Sequence, residues 1–122
     1  MHATIRRWNG AATLIAEIER RTQEVESIIS STPGFVAYHA VKSGNTLVSV
    51  TVCQDKAGTD ETTRRAAQWV RDTLPADAVA GLTPEIIEGE EFVSFHAPQR
   101  LGNTTARTVN TADTSSKNDA RL

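Results

Sequence analysis

The stretch FVAYHAVKSGNTLVSVTVCQ, residues 35–54, decides the fold. Val48, Val50 and Val52 alternate with Leu47, Ser49, Thr51 and Cys53. A strict two-residue period rich in β-branched side chains reads as a strand covered well on one face. The preceding run from Phe35 to Val41 is a second extended segment. Ser43, Gly44 and Asn45 between them tolerate positive φ, so the two runs close as an antiparallel hairpin.

Working outward toward the N-terminus, Leu14, Ile15, Ile18, Val25, Ile28 and Ile29 fall on one stripe at three- and four-residue steps. Charged residues occupy the rest, so Ala11 to Ser30 is expected to form one amphipathic helix of about five turns. Pro33 and Gly34 stop it. Before it, His2–Asn9 with Ile5 and Trp8 reads as a short strand ending at an Asn-Gly turn. Toward the C-terminus, a second helix is expected with Thr59 or Asp60 as its N-cap. Its inward stripe is read as Thr63, Ala66, Ala67, Val70 and Leu74, and Pro75 marks its end. Ala76 to Thr83 reads as loop with room for one extra helical turn. Pro84 to Phe95 is expected to be the last strand, with Gly89 marking a bulge or bend.

The order strand, helix, strand, strand, helix, strand predicts an α+β, ferredoxin-like βαββαβ fold: a four-stranded antiparallel sheet with both helices on one face. The other face, assigned some of Leu47, Tyr38, Thr51, Cys53 and the final-strand aromatics, is left uncovered. An uncovered apolar face calls for a partner, and a homodimer is expected.

Composition limits the function. The 122 residues carry 13 basic and 15 acidic groups, a net charge of −2. Residues 96–122 hold four of the basic and two of the acidic groups, which leaves nine and thirteen for residues 1–95. An acidic body argues against a nucleic-acid reader. The single cysteine, Cys53, permits no internal disulfide and no cysteine-rich metal site. No apolar run suggests a signal peptide or a membrane span, so a cytoplasmic protein is expected. The folded domain is placed at residues 1–96. Residues 97–122, poor in apolar side chains, are read as a disordered polar tail.

Four segments resemble the dimeric α+β barrel superfamily, and in it the antibiotic-biosynthesis-monooxygenase-like (ABM) domains. They are Ser31–Phe35 closing the first helix, Thr46–Gln54 as the long strand, Arg65–Val70 on the second helix, and Glu88-Gly89-Glu90. The likeness spans about residues 2–95. It implies a homodimer whose sheets meet face to face, and oxygenation of a small aromatic or phenolic molecule without metal, flavin or other cofactor. Haem-degrading members carry an asparagine at the end of the first strand, a tryptophan on the second helix and a histidine beyond it. Asn9 and Trp69 match the first two, while Val79 stands near the third place. Quinone-forming members carry an asparagine one turn before the tryptophan; Arg65 stands there.

The candidate ligand-binding residues are therefore Trp69, Tyr38 and Asn9, with no catalytic residue identified and no metal site expected. Each has a plainer reading. Trp69 also fits a core side chain between helix and sheet, Tyr38 a half-buried strand residue, and Asn9 a turn residue beside the packed Trp8. His2, His39 and His96 lack ligand spacing. Cys53 reads as a small apolar strand residue, and Glu88, Glu90 and Glu91 as a solvated bend. Two functions follow: a cofactor-independent monooxygenase binding its substrate between the second helix and the sheet, or a non-catalytic dimerisation or ligand-binding module. A polar, open seam around Trp69 fits the enzyme, and a tightly packed one fits the module.

Overall fold

The computed structural model describes residues 1–98; the tail expected from residue 97 lies outside them except for Ala97 and Pro98. Strand β1 spans His2–Trp8, helices α1 and α2 span Ala12–Arg20 and Thr22–Ser30, and strands β2 and β3 span Phe35–Ser43 and Thr46–Cys53. Helix α3 is Lys56–Thr73, α4 is Ala76–Ala80, and β4 is Glu85–Glu90. The sheet order is β2-β3-β1-β4, with every neighbouring pair antiparallel. This is the ferredoxin-like α+β plan.

The β2–β3 hairpin closes with Ser43 opposite Thr46, leaving Gly44 and Asn45 as its two-residue loop. Gly44 takes φ 58°, a region open to glycine and closed to most side chains. The carbonyl of Asn45 accepts from the Ala11 amide at 2.7 Å, which fixes where the first helix starts. At that helix's far end, Thr32-Pro33-Gly34-Phe35 makes a tight turn. Gly34 sits at φ 81° and the Phe35 amide donates to the Thr32 carbonyl at 3.0 Å, the arrangement of a type II turn with proline and glycine at its centre.

The first helix is not continuous. Arg21 takes φ −122°, ψ 36° and divides it into two nine-residue pieces. The Thr22 hydroxyl donates to the carbonyls of Ile18 and Glu19 at 3.0 and 3.2 Å, side-chain back-bonding that bends helices. Arg21 braces the break by donating to Glu17 at 3.0 Å and Glu24 at 3.4 Å. An unbroken stripe of apolar residues hid this, because the bend lies between Ile18 and Val25 where every residue is polar.

The cap of α3 is Asp55, not Thr59 or Asp60: its side chain accepts from the Gly58 amide at 3.0 Å. Thr59 is one turn inside the helix, where its hydroxyl meets His2 Nδ1 at 2.8 Å. The inward stripe is shifted from the expected one as well. Gly58, Thr59, Thr62 and Trp69 are the buried residues of α3, while Ala67 is exposed. Small and hydroxylated side chains face inward because the sheet beneath is polar at that point.

Strand register corrects the facing of the sheet. Leu47 belongs to the apolar core with Trp8, Ala11, Leu14, Ile15, Trp69 and Leu74. Thr51 accepts from Arg6, which also reaches Thr62 on α3, and Cys53 lies against Gly58. Leu47, Ser49, Thr51 and Cys53 therefore face the helices, as does Tyr38, which pairs with Thr51. The uncovered face carries the other set. Ile87 stands opposite Ile5, Ile5 opposite Val50, and Val50 opposite His39, an apolar row that ends in a histidine. Period fixed the alternation, but hydrophobicity assigned its faces wrongly.

The last strand is shorter and more regular than expected. Gly89 pairs with Ala3 in unbroken register, and the irregularity of the sheet lies instead between Phe35 and Ala37 in β2. After Glu90, the Glu91 amide bonds the Met1 carbonyl at 2.9 Å. Phe92, Val93 and Phe95 lie beyond the strand and are exposed.

A Cβ built on Gly58 would sit 2.7 Å from the Cys53 Cβ and 3.2 Å from the Pro33 carbonyl oxygen. Both neighbours are fixed to backbone, so helix and strand must separate. Overpacking of this kind costs about 1–3 kcal/mol, partly offset by the ~1 kcal/mol that alanine gains over glycine in a helix. Gly58→Ala is expected to lower the urea midpoint, with unchanged slope; an equal or higher midpoint would contradict this packing.

Candidate functional site

The bend in the first helix opens a cavity of about 560 Å³ between α1–α2 and the β2–β3 hairpin. Ile15, Ile18, Val25 and Ile29 line its helical side, and Phe35, Tyr38 and Leu47 its sheet side. Glu19 and Lys42 form an exposed ion pair among its lining residues. The walls are mostly apolar, as pockets for small organic molecules are. Tyr38 is the aromatic hydroxyl in this wall. Burial pushes its phenol above the ordinary tyrosine range, against the opposing field of Arg6, so it stays a neutral donor at physiological pH.

Trp69 lies behind this wall. It is 8% exposed, and its indole nitrogen donates to Glu24 at 2.8 Å. Only a void of about 30 Å³ separates it from Trp8, Tyr38 and the α1–α2 side chains. Tyr38 lines both this void and the large cavity, so two of the three expected ligand residues share a wall. Asn9 does not join them; it is exposed and accepts from the Thr46 hydroxyl at 3.2 Å. The larger cavity lies under the first helical pair, and a smaller one of about 180 Å³ lies between α3, α4 and the β1–β4 edge.

Arg65, one turn before Trp69 on α3, ties two helices together. It donates to the Ile28 carbonyl at 3.1 Å and the Ser31 hydroxyl at 3.0 Å, satisfying the open end of α2. Its Nε bonds Glu61 at 2.8 Å. Arg64 and Arg65 together hold the Glu61 carboxyl down to about 2.

Sequence reasoning missed Arg6. It is 2% exposed, and its guanidinium donates to the hydroxyls of Thr51, Thr62 and Thr63 at 3.1, 3.2 and 2.6 Å. Its Nε has no partner, and among the described residues no carboxylate forms an ion pair with it. Burial pulls its pKa below the ordinary arginine value. The available signal was the alternation Thr4-Arg6-Trp8, which puts Arg6 on the same side as a core tryptophan. Cys53 is fully buried with its thiol pushed up by burial, the environment of a packing residue and not of a nucleophile.

The histidines do not meet at the large cavity. His2 is bonded to Thr59, His39 is on the uncovered sheet face, His96 lies beyond β4, and Val79 is in α4. None of them lines the large cavity, so no histidine is presented there.

No family model matches this sequence, and no curated protein matches it. Solved structures do. The monooxygenase ActVA-Orf6 of Streptomyces coelicolor, solved with nanaomycin D, superposes with a TM-score of 0.56 at 16% identity, over 80% of this chain and 92% of that one. The heme degrader MhuD from Mycobacterium tuberculosis, solved with two hemes, gives 0.54 at 17% identity over 79% of this chain and all of that one. SnoaB from Streptomyces nogalater, a cofactor-independent oxygenase, gives 0.51 at 19% identity over 83% and 96%. The fold is that of the ABM-like domains. At these identities the likeness is one of fold alone.

If Trp69 is core, Trp69→Ala removes a large buried side chain and should destabilise by about 3–5 kcal/mol. Trp69→Phe keeps most of the packing, loses the bond to Glu24, and should destabilise by about 1 kcal/mol plus the smaller ring's packing loss. Chemical denaturation followed by far-UV circular dichroism checks both. An alanine variant within 1 kcal/mol of the parent would show an open cavity around the ring.

Proposed function

We propose that this protein binds a small aromatic or phenolic molecule in the cavity under the bent first helix and oxygenates it without a cofactor. The observation that carries the binding is the 560 Å³ apolar cavity with a protonated tyrosine in its wall. A planar ring would lie between the isoleucines of α1–α2 and the hairpin, with Tyr38 in the wall beside it. The reaction rests on the fold shared with SnoaB and ActVA-Orf6. In it a phenol and one O2 give a quinone and one water, so no external reductant is needed.

Non-catalytic binding is a second reading, and the packing of Trp69 favours it. A ring locked by Glu24 and surrounded by core side chains contributes shape to the fold, and its indole N–H is already engaged.

Titration of the full chain with 1-naphthol, with oxygen uptake recorded in parallel, separates these readings. Saturable binding with oxygen uptake, and uptake reduced in Tyr38→Phe, is the expected result. Binding without uptake supports the non-catalytic module. Loss of binding in Ala40→Trp, which fills the cavity from an exposed strand position, places the ligand; no binding by the parent contradicts both.

We also propose that two copies pair through the uncovered sheet face. Ile5, Val41 and Ile87 are exposed on it, and β-sheet faces this apolar are normally covered. Sedimentation at micromolar concentration should give twice the 13.2 kDa chain mass. Val50→Asp, at the middle of the row, should shift it to one chain mass, and a parent that sediments as a single chain would remove the dimer.

A further inference from the structure

Arg6 is a buried cation outside the larger cavity, and it lines the 180 Å³ cavity between α3, α4 and the β1–β4 edge. This cavity shares no lining residue with the larger one. We propose that it takes a small organic anion, one ring or one branched chain bearing a single carboxylate, with the carboxylate against Arg6.

The charge comes first. Taking a guanidinium out of water costs several kcal/mol unless an opposite charge and good hydrogen bonds compensate. Here the compensation is three neutral hydroxyls. Thr62 and Thr63 each donate to the Thr59 carbonyl, at 2.8 and 3.0 Å, which turns their lone pairs toward Arg6 and holds the guanidinium in place. The carboxylate of Glu88, on the neighbouring strand, is within 4 Å of His2 and Lys56 instead. The positive charge is left without a counter-ion among the described residues, and a carboxylate matches a guanidinium in both charge and plane; the Nε itself is sealed from solvent, so the ligand meets Arg6 through its charge and not through that atom.

The walls decide the rest of the ligand. Val70, Leu82 and Ile86 line the cavity with Thr63 and Arg6, and Arg71 stands at its exposed side. Inorganic phosphate would satisfy Arg6 and leave these apolar side chains facing water. A neutral ring would satisfy the walls and leave the charge unmatched. The volume of about 180 Å³ leaves room for a single ring with its carboxylate.

The test uses the full chain with benzoate, its neutral isostere benzamide, and inorganic phosphate. Calorimetry should show one benzoate per chain, with benzamide and phosphate at least ten-fold weaker. The Arg6 Nε–H resonance should shift along the same isotherm. Arg6→Met risks the fold, so the deciding variant is Ala67→Phe. It is at an exposed lining position and should weaken benzoate ten-fold or more, whereas Ala40→Trp, in the other cavity, should leave it unchanged. Benzoate that leaves the Nε–H unmoved at millimolar concentration overturns the proposal. So does equal affinity for benzamide, equal affinity for phosphate, or insensitivity to Ala67→Phe.

Discussion

A guanidinium held by three threonine hydroxyls inside a 122-residue chain is the constraint around which this interior is arranged. It divides the layer between helices and sheet in two. At the Trp8 end, Leu14, Ile15, Leu47, Trp69 and Leu74 pack as an ordinary apolar core. At the His2 end, Thr4, Thr51, Thr59 and Thr62 are all buried with Arg6. Hydroxylated and small residues must then face inward on α3, since only they can accept from the arginine without crowding it. The close approach of Gly58 to Cys53 belongs to the same arrangement: the first turn of α3 lies directly on the sheet, which brings Thr62 and Thr63 within reach of Arg6.

The other half of the structure follows from the bend at Arg21. A straight helix would lie along the hairpin and bury its stripe against Phe35, Tyr38 and Leu47. The Thr22 back-bonds divert the chain, and the space this opens is the large cavity. Its shape is held from outside by Arg65, which clasps the end of α2 to α3. The Arg65 side chain is thereby committed to helix packing, and Tyr38 and Lys42 are polar side chains of the sheet that line the cavity.

Much of the architecture was legible in the sequence. The valine alternation, the Gly44 turn, the apolar stripe of the first helix and the Pro33-Gly34 stop specify element order without ambiguity, because each rests on local geometry. What was not legible depends on pairs of residues far apart in the chain. Whether the valines or the threonines of β3 face the helices is set by Arg6, 45 positions away from Thr51, and hydrophobicity alone gives the opposite answer. The length of β4 depends on its pairing with β1, far away in the chain. For the candidate site, residue type and place single out Tyr38 and Trp69, and both line the small void of about 30 Å³. Asn9 stands apart on its turn. Arg6 was passed over because an arginine in a short strand beside Arg7 reads as a surface dyad.

Thr62→Val tests this division of the interior most directly. The substitution keeps the shape of the side chain and adds apolar surface, so in an ordinary helix–sheet seam it would be neutral or stabilising. With Arg6 where it is, the change removes an acceptor from a buried charged donor, at a cost of about 1–3 kcal/mol. The urea midpoint of Thr62→Val is predicted to fall accordingly; a midpoint equal to the parent's or above it would contradict an arginine at the centre of this fold.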